Sequence, residues 1–538
     1  MFFESSPASF NARGAHVFLL CLLTALLYFP ALGARDFWAP VEPRYAEIAR
    51  VIFIKGEWIV PTVNGSLYTD KPILYFWLVL IASKIFGVVT EWTVRLPAAM
   101  GGVGFVVATY LIGRDFFSAR VGFYGAIILA TSMRVIWESR WAHVDTLFCF
   151  FFVLSIYFAG RTLLRKCNPF EILLAYAFMA LATLTKGLIG VVLPGFLFVA
   201  FVIAQRDWRL IAAAKLPLGI AIFSLVAAPW FYLVYQATDG KWLSDFIYIH
   251  HIQRYTAGAG HRQPVYYYFT TLPVDFLPWT IFAVPALFAY RSFRQAWADP
   301  LKRFFILWFL VVFIFFSISD TKRDLYLMPL LPTFALLVGN YLVDLASNRV
   351  SLSSIYRWLT MSFFSIVAIA GLTLPFAAWF LRNEMFFLLI PSSVVLALGG
   401  FLAVTFIRRR RPVLVLTAVA SMMTLSVVTA SVWIFPYLEQ FKSHRAFSEE
   451  IKKMVPPATP LFVYADSMND FNYYTEREAI PVLSSPLHVD KLIGRSEIGY
   501  LLVKERDLKR LPQISRERIV TSETIGNTTW SLVEFKKR

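Results

Sequence analysis

Residues 385–407 read MFFLLIPSSVVLALGGFLAVTFI and contain no charged side chain. About 20 predominantly apolar residues are enough for a helix to cross the hydrocarbon core of a bilayer. Four arginines, Arg408–Arg411, follow immediately, and clustered basic residues beside a span are typical of its cytoplasmic end. This stretch therefore predicts both a membrane-spanning helix and its orientation.

Similar stretches recur along the chain, which has 538 residues, 58% of them hydrophobic and 16% charged. Such a composition excludes an ordinary soluble enzyme. The predicted fold class is an all-α polytopic membrane protein with about thirteen transmembrane helices, followed by a small α/β region. The predicted spans lie near residues 15–33, 94–113, 121–138, 144–161, 169–185, 187–205, 210–235, 271–290, 303–319, 325–343, 357–381, 385–407 and 412–436.

The short apolar segment Pro72–Gly87 decides the predicted topology. If it crossed the membrane fully, every later loop would change sides. If it is a re-entrant or juxtamembrane helix, the basic loop residues gather on one face, which the positive-inside bias identifies as cytoplasmic. The opposite face is then extracytoplasmic, and it receives the first long loop, residues 34–93.

Residues 437–538 change character, because they are charged and mix β-like runs (461–465, 500–504 and 530–535) with a helical stretch (447–454). They predict a small α/β domain on the extracytoplasmic face. The predicted division is thus a transmembrane domain over 1–436, with juxtamembrane helices in its 34–93 loop, and a second domain over 437–538.

The net charge of +17 does not indicate a nucleic-acid-binding protein. The basic residues form short clusters between apolar spans, and no recognition-helix or zinc-finger pattern accompanies them. The three cysteines, Cys21, Cys149 and Cys167, lack metal-ligand spacing and indicate no disulfide framework.

Charged residues are unusually frequent in the loops of the predicted extracytoplasmic face. An ionisable group at membrane depth costs about 2.5–3.5 kcal/mol, so such groups usually line a polar cavity. The alternatives are a snorkelling lysine, a helix-capping aspartate, and an anchoring helix whose charges merely face water. The carboxylates on this face are Glu42, Asp70 and Asp145, and the cations are Arg44, Lys71, Lys186, Arg254, Arg262 and Lys322.

Lysine and arginine bind phosphate as a point charge and as a bidentate fork, respectively. Aromatic side chains offer flat platforms for sugars and apolar contact for isoprenoid tails. Together these residue types predict an enzyme that acts on an anionic lipid head group. Substrate contacts are expected from Tyr45, Tyr68, Tyr326 and His251.

At these residues the chain resembles the bacterial inner-membrane aminoarabinose transferases that modify lipid A. More broadly it is similar to the C-type glycosyltransferases that include protein O-mannosyltransferases. About the first 330 residues carry the resemblance. It lies in Glu42–Glu47, Gly56–Pro61, Asp70–Pro72, Val144–Asp145, Thr185–Gly187, His251–Tyr255, His261–Arg262 and Tyr266–Tyr268.

The resemblance implies a polyprenyl-phosphate sugar donor, with undecaprenyl phosphate as carrier, and inverting displacement at the anomeric carbon of the sugar. Lys71, Arg44 and Arg254 would stabilise the departing lipid phosphate. Glu42, Asp70 and Asp145 are the expected catalytic residues, and Asp145 would orient the donor sugar. His261 and Asp70 match positions where relatives can hold a divalent metal, and the resemblance leaves a zinc site open; no other cofactor is implied.

Two positions depart from the family pattern. The family usually shows an Asp-Glu pair where this chain has Val41-Glu42, and Asp70 stands where the aminoarabinose transferase has glutamate. Either Glu42 or Asp145 then serves as the acceptor base, or the acceptor is an anionic phosphate that needs none.

Several functions remain open from the sequence. The first is transfer of the sugar to a lipid A-like lipid or another envelope glycan, and the second is transfer to a protein. The third is transport of the lipid-linked sugar, although transporters usually place polar groups at the bilayer midplane. The fourth is binding of the lipid-linked sugar without catalysis, which the replacement at Val41 would favour.

Overall fold

The computed structural model describes residues 10–165, 168–257, 262–290, 292–466, 469–493, 498–511 and 518–536. The chain divides into two compact units. The first comprises Met1–Pro30, Thr69–Tyr75 and Pro97–Ile434, and the second comprises Ala31–Tyr68, Phe76–Leu96 and Phe435–Arg538.

The described part of the first unit is helical. Helices Leu74–Phe86 and Glu91–Phe116 contribute residues to both units. The other helices of the first unit, including one 3₁₀ and two π segments, are Phe10–Tyr28, Ala119–Ala130, Met133–Ser139, Asp145–Arg165, Glu171–Lys186, Ile189–Gln205, Arg209–Ala213, Leu216–Ala237, Lys241–Ile247, Tyr248–Gln253, Arg254–Ala257, Tyr267–Asp275, Thr280–Ala289, Phe293–Ala298, Pro300–Ile318, Asp324–Leu330, Leu331–Ala346, Ser354–Leu381, Met385–Arg408, Pro412–Thr429 and Ala430–Ile434.

Among the described residues, eight helices are long and apolar enough to cross a membrane, and the number reaches ten if each of two bent helix pairs is one span. The bent pairs are Ala119–Ala130 with Met133–Ser139, at 65°, and Tyr267–Asp275 with Thr280–Ala289, at 108°. The chain is therefore a multi-pass membrane protein, as its composition predicts. Leu74–Phe86 is an apolar helix of only 13 residues.

The two bent pairs meet at their breaks. Hydroxyls of Thr131 and Ser132 donate to the carbonyls of Ile127 and Ile128, each at 2.7 Å, and such bonds often bend a helix. The backbone N–H of Met133 then donates to the carbonyl of Leu277 across the other break, at 2.9 Å. These breaks direct polar side chains of two helix pairs towards each other.

The second unit combines helices with two small sheets. Its helices are Glu42–Lys55, Phe435–Glu439, Arg445–Met454, Asn469–Thr475, Pro486–Ile493 and Glu505–Leu508. Its strands are β1 (Thr62–Val63), β2 (Ser66–Leu67), β3 (Leu461–Tyr464), β4 (Val482–Leu483), β5 (Ile498–Lys504), β6 (Ile519–Ile525) and β7 (Thr528–Lys536).

Strands β1 and β2 form an antiparallel hairpin, and the remaining five strands form one mixed sheet in the order β4-β3-β5-β7-β6. Strand β3 pairs in parallel with β4 and β5, whereas β5 and β6 pair antiparallel to β7. The three β-like runs of the sequence coincide with β3, β5 and β7. Buried Leu502, Trp530 and Leu532 form its core with Phe447 and Ile451 of the Arg445–Met454 helix.

Helix Glu42–Lys55 begins with proline in its first turn and ends at Gly56, whose φ of +72° is the left-handed cap that glycine adopts without strain. It packs against helix Asn469–Thr475. Nearby, the backbone N–H of Phe37 donates to the hydroxyl of Tyr474 at 2.9 Å. Segments of the first loop and of the C-terminal region therefore share one compact unit.

Candidate active site

The first unit contains a cavity of about 360 Å³ with mixed walls. Three cations, Lys71, Lys186 and Arg254, line it together with the carboxylate of Asp70. The rest of the lining is mainly apolar and aromatic, with side chains such as Ile189, Val192, Tyr255, Phe315, Phe316 and Tyr326. A cavity of this kind suits an anionic group attached to an apolar chain.

Asp70 organises one side of this cavity. Its Oδ1 accepts from Nζ of Lys71 at 3.0 Å and from Nη1 of Arg254 at 2.7 Å, and Nδ1 of His250 lies 3.3 Å away. Burial alone would raise the pKa of Asp70, but Lys71, His250 and Arg254 outweigh burial and hold it well below its usual range. Asp70 is therefore ionised at neutral pH and fixes the directions of two cations.

Lys71 shares the carboxylate of Asp70 with Arg254. Burial lowers its pKa, Asp70 opposes that shift, and Arg254 and Lys186 lower the pKa further. A cation held near other cations gains more than an isolated one when an anion enters. The cavity is thus electrostatically suited to an anion.

Lys186 forms the second cationic element. Its Nζ donates to Oδ1 of buried Asp145, and it lies 5.2 Å from the ring centroid of Phe148 and 5.1 Å from that of Tyr326. Both rings can stabilise the ammonium through cation–π contact. Lys186 is therefore a buried, paired cation and not a snorkelling one.

The loop after Lys186 explains the position of His251. Helix Glu171–Lys186 ends at Gly187, whose φ is +95°. A Cβ there would lie 2.6 Å from Nε2 of His251. His251 donates from Nδ1 to the carbonyl of Phe246 at 2.8 Å, so its Nε2 accepts the N–H of Leu188 at 3.2 Å. His251 lines the cavity, and both ring nitrogens bind backbone.

Two predicted phosphate-binding residues lie outside the described cavity lining. Lys322 is 3% exposed and donates to the carbonyls of Gln263, at 3.0 Å, and Ser319. Arg262 is exposed and forms an isolated β-bridge with Thr321. Their roles in phosphate binding remain predictions.

Four predicted site residues, Glu42, Arg44, Tyr45 and Tyr68, belong to the second unit. Tyr45 and Tyr68 are buried with ring centroids 6.5 Å apart, and Arg44 is half-buried. Their contacts with substrate remain predictions.

Glu42 is fully buried between two arginines. It accepts from Nη1 and Nη2 of Arg35 at 2.8 and 3.1 Å, and from Nε and Nη2 of Arg95 at 2.7 and 3.0 Å. Burial would raise the pKa of Glu42, but the two guanidinium groups outweigh it and lower the pKa. Such a carboxylate does not face water, and it is a weak proton acceptor.

We expect Glu42→Gln to lower both stability and transfer activity. The substitution leaves Arg35 and Arg95 buried without their shared anion, which typically costs about 3–5 kcal/mol. Because folding lowers the pKa of Glu42, this stabilisation is present above about pH 4.3, the unfolded value, and is lost as the pH falls towards the folded value. Thermal unfolding of the purified protein against pH measures it.

Glu57→Gln is the matched control, because Glu57 is exposed on the same loop. It should unfold as the wild type does. Equal unfolding temperatures for Glu42→Gln and Glu57→Gln at pH 7 would contradict the structural role of Glu42.

A second ionic cluster of the first unit lies beside Asp145, and sequence analysis missed it. Glu138 is 1% exposed, and its Oε2 lies 2.5 Å from Nδ1 of His143. Its Oε1 accepts from Arg134 at 3.1 Å, and Arg134 also pairs with Asp275, at 2.7 Å, and with Asp324. The available signal was the acidic and basic residues within the apolar stretch 121–138.

The residues that could hold a metal are of two kinds. The predicted ligand His261 lies outside the described residues, and the oxygen Oδ1 of Asp70 is already engaged by Lys71 and Arg254. Glu138, His143 and Asp145 bring ligand atoms within 4.8 Å of one another. These three groups, however, already form ion pairs with one another or with neighbouring basic side chains. Their charges are therefore already balanced, and the group does not suit a metal cation.

Comparison with known proteins relates this site to lipid-dependent sugar transfer. Residues 70–233, which include Asp70, Lys71, Asp145 and Lys186, match the family model for dolichyl-phosphate-mannose-protein mannosyltransferase. The chain is 28% identical over 493 residues to the undecaprenyl phosphate-alpha-4-amino-4-deoxy-L-arabinose arabinosyl transferase of Shewanella sediminis, covering 90% of this chain and 88% of the relative.

An uncharacterised protein of Aquifex aeolicus is 32% identical over 82% of both chains. Among solved structures, ArnT from Cupriavidus metallidurans bound to undecaprenyl phosphate superposes with a TM-score of 0.78. That match has 21% identity and covers 98% of each chain, so it establishes a shared fold.

Proposed function

The chain belongs to the C-type glycosyltransferases, and we propose that it moves a sugar from undecaprenyl phosphate, or a similar polyprenyl phosphate, to a lipid A-like lipid or another envelope glycan. The enzyme class follows from the family. The carrier and the acceptor class are proposed from the named relatives and from the chemistry of the cavity.

The observation that carries this proposal is the cation-lined cavity. Lys71, Lys186 and Arg254 face a space of about 360 Å³ whose other walls are mainly apolar. A soluble sugar nucleotide would not need apolar walls, whereas a lipid phosphate needs both features. Three lysine and arginine side chains around one cavity also suit a phosphate that gains negative charge during the reaction.

In the proposed reaction the anomeric C–O bond to the lipid phosphate breaks as the acceptor oxygen attacks the opposite face. Lys71 and Arg254 stabilise the charge that accumulates on the departing phosphate oxygen. Asp70 keeps these two cations aligned. Asp145, paired with Lys186 at the cavity edge, orients the donor sugar, and Glu42 holds the first loop in shape.

We also propose that the protein crosses a bacterial inner membrane thirteen times. The thirteen spans are the eight long apolar helices, the two bent pairs and the shorter helices Phe10–Tyr28, Glu171–Lys186 and Ile189–Gln205. Leu74–Phe86 then remains juxtamembrane. The charge distribution of the loops supports a periplasmic location for the active site and for residues 437–538.

The proposal is tested with purified protein, undecaprenyl phosphate-4-amino-4-deoxy-L-arabinose and lipid A. We expect release of free undecaprenyl phosphate and a mass increase of lipid A by one sugar, both measured by mass spectrometry. A parallel assay with envelope glycans and protein acceptors identifies other acceptors. If none of the acceptors led to release of free undecaprenyl phosphate, the proposed transfer would be refuted.

Reconstituted vesicles provide the control for transport. Movement of the intact lipid-linked sugar between leaflets, without cleavage of its glycosidic bond, would replace the transferase assignment by a transporter. We expect cleavage and no such movement, because the cavity cations lie beside loops and helix ends.

A further inference from the structure

Transfer to an O–H acceptor requires a group at this site that removes the proton of the acceptor. An acceptor with an O–H group must lose a proton while it attacks, and a positioned base typically contributes about 10²–10⁴-fold. The three carboxylates predicted to be catalytic are all held by cations. Glu42 binds Arg35 and Arg95, Asp70 binds Lys71 and Arg254, and Asp145 binds Lys186.

His143, in contrast, is paired with a carboxylate. Its Nδ1 lies 2.5 Å from Oε2 of Glu138, which is 1% exposed. A buried carboxylate fixes the imidazole orientation, places the ring proton on Nδ1, and stabilises the imidazolium ion that forms when Nε2 accepts a proton. This base-and-orienter arrangement is the one that nucleophile activation requires.

Other side chains of the first unit hold Glu138 in place. Its Oε1 accepts from Arg134, which also binds Asp275 and Asp324. These side chains come from the two bent helix pairs and from the Asp324–Leu330 segment. Elements distant in the chain therefore converge to hold one carboxylate against His143, and a simple surface histidine would need no such support.

The contacts also place His143 next to the donor site. Lys186 lines the cavity and binds Asp145, and the ligand atoms of Asp145, His143 and Glu138 lie within 4.8 Å of one another. The side chain of His143 is 13% exposed. An acceptor can thus reach its ring while the donor phosphate occupies the cations on the cavity side.

A pair of aromatic rings adjoins His143. The indoles of Trp137 and Trp141 stack with centroids 4.9 Å apart and an interplanar angle of 26°. The centroid of Trp141 lies 6.5 Å from that of His143, and Trp137 is 44% exposed. Flat aromatic faces favour a sugar-bearing acceptor.

We propose that His143, oriented by Glu138, is the general base that removes the proton from an O–H group of a sugar-bearing acceptor. The acceptor oxygen forms the new bond to the anomeric carbon, its proton passes to Nε2 of His143, and the electron pair of the broken C–O bond leaves with the polyprenyl phosphate. The inference rests on the proposed transferase function and deepens it by specifying an acceptor that carries a proton.

The test compares His143→Ala with the wild type, using the donor and lipid A of the transfer assay. We expect kcat to fall about 10²–10⁴-fold, while affinity for undecaprenyl phosphate stays within about twofold. Added imidazole should restore kcat at least tenfold in this variant alone. His488→Ala is the matched control, because His488 is exposed in the C-terminal region, and it should transfer normally.

Glu138→Gln provides a second measurement if His143→Ala is poorly folded. Glutamine keeps a hydrogen-bond acceptor but removes the charge that stabilises the imidazolium ion, so kcat should fall about tenfold or more with carrier affinity retained. A normal kcat in His143→Ala, or a loss that imidazole does not restore in protein that still binds carrier, would overturn the inference. An inactive wild type would refute the transferase function itself, and the inference with it.

Discussion

Lys71→Ala should lose about 10²–10³-fold in kcat, the size of effect typical for removal of one group that stabilises developing negative charge. Lys71 lies at the cavity wall, and burial together with Arg254 and Lys186 lowers its pKa despite the opposing effect of Asp70. Its ammonium is therefore poised to gain from an entering phosphate. Transfer of the sugar, followed as release of free undecaprenyl phosphate, measures the loss.

Lys84→Ala is the control for this substitution. Lys84 is an exposed lysine only one helix further along the chain, with its ammonium 4.6 Å from the ring centroid of Trp58. We expect its kcat to remain near that of the wild type. If Lys71→Ala were as active as Lys84→Ala, Lys71 could not be the group that stabilises the departing phosphate.

Asp145→Asn should abolish transfer and also destabilise the protein by about 3–5 kcal/mol, because it leaves Lys186 as a buried charge without its carboxylate. Asp145 is 6% exposed and Lys186 is 9% exposed, so water cannot compensate the loss. Thermal unfolding in detergent and the transfer assay report the two effects separately.

The double variant Asp145→Asn/Lys186→Met separates the contribution of this ion pair to stability from its contribution to transfer. Removal of both charges should restore most of the lost stability, since replacing a whole buried pair by apolar groups is often neutral. Transfer should nevertheless stay absent, because both side chains that are proposed to contact the donor have lost their charge. Recovery of activity together with stability would show that the pair is only structural.

Several features of the site were predictable from local sequence. Lys186 stands at the end of an apolar segment, and the cost of burying its charge predicted that it lines a polar cavity. Asp70, Lys71 and Arg254 were predicted in the same way, as charges in loops beside apolar spans, and the structure places all three at one cavity. The sequence also predicted juxtamembrane helices within residues 34–93 and the strands of the C-terminal region.

The partners of these groups were not predictable. Nothing local to Asp70 indicates that Arg254, 184 residues away in sequence, would bind it. Likewise, nothing local to Glu42 indicates that Arg95, 53 residues away in sequence, would bind it. Glu138 was hidden within an apolar stretch that the hydropathy pattern assigns to a span.

The sequence by itself determined that this protein spans a membrane, and which loops beside its apolar stretches carry phosphate-binding residue types. These properties follow from side-chain hydropathy and charge over about 20 consecutive residues. Only the tertiary structure decided which carboxylate neutralises which cation, and that the carboxylate of Glu138 lies against His143. Ion pairing depends on distances between residues far apart in the chain, and these distances are set by how helices pack and where they break.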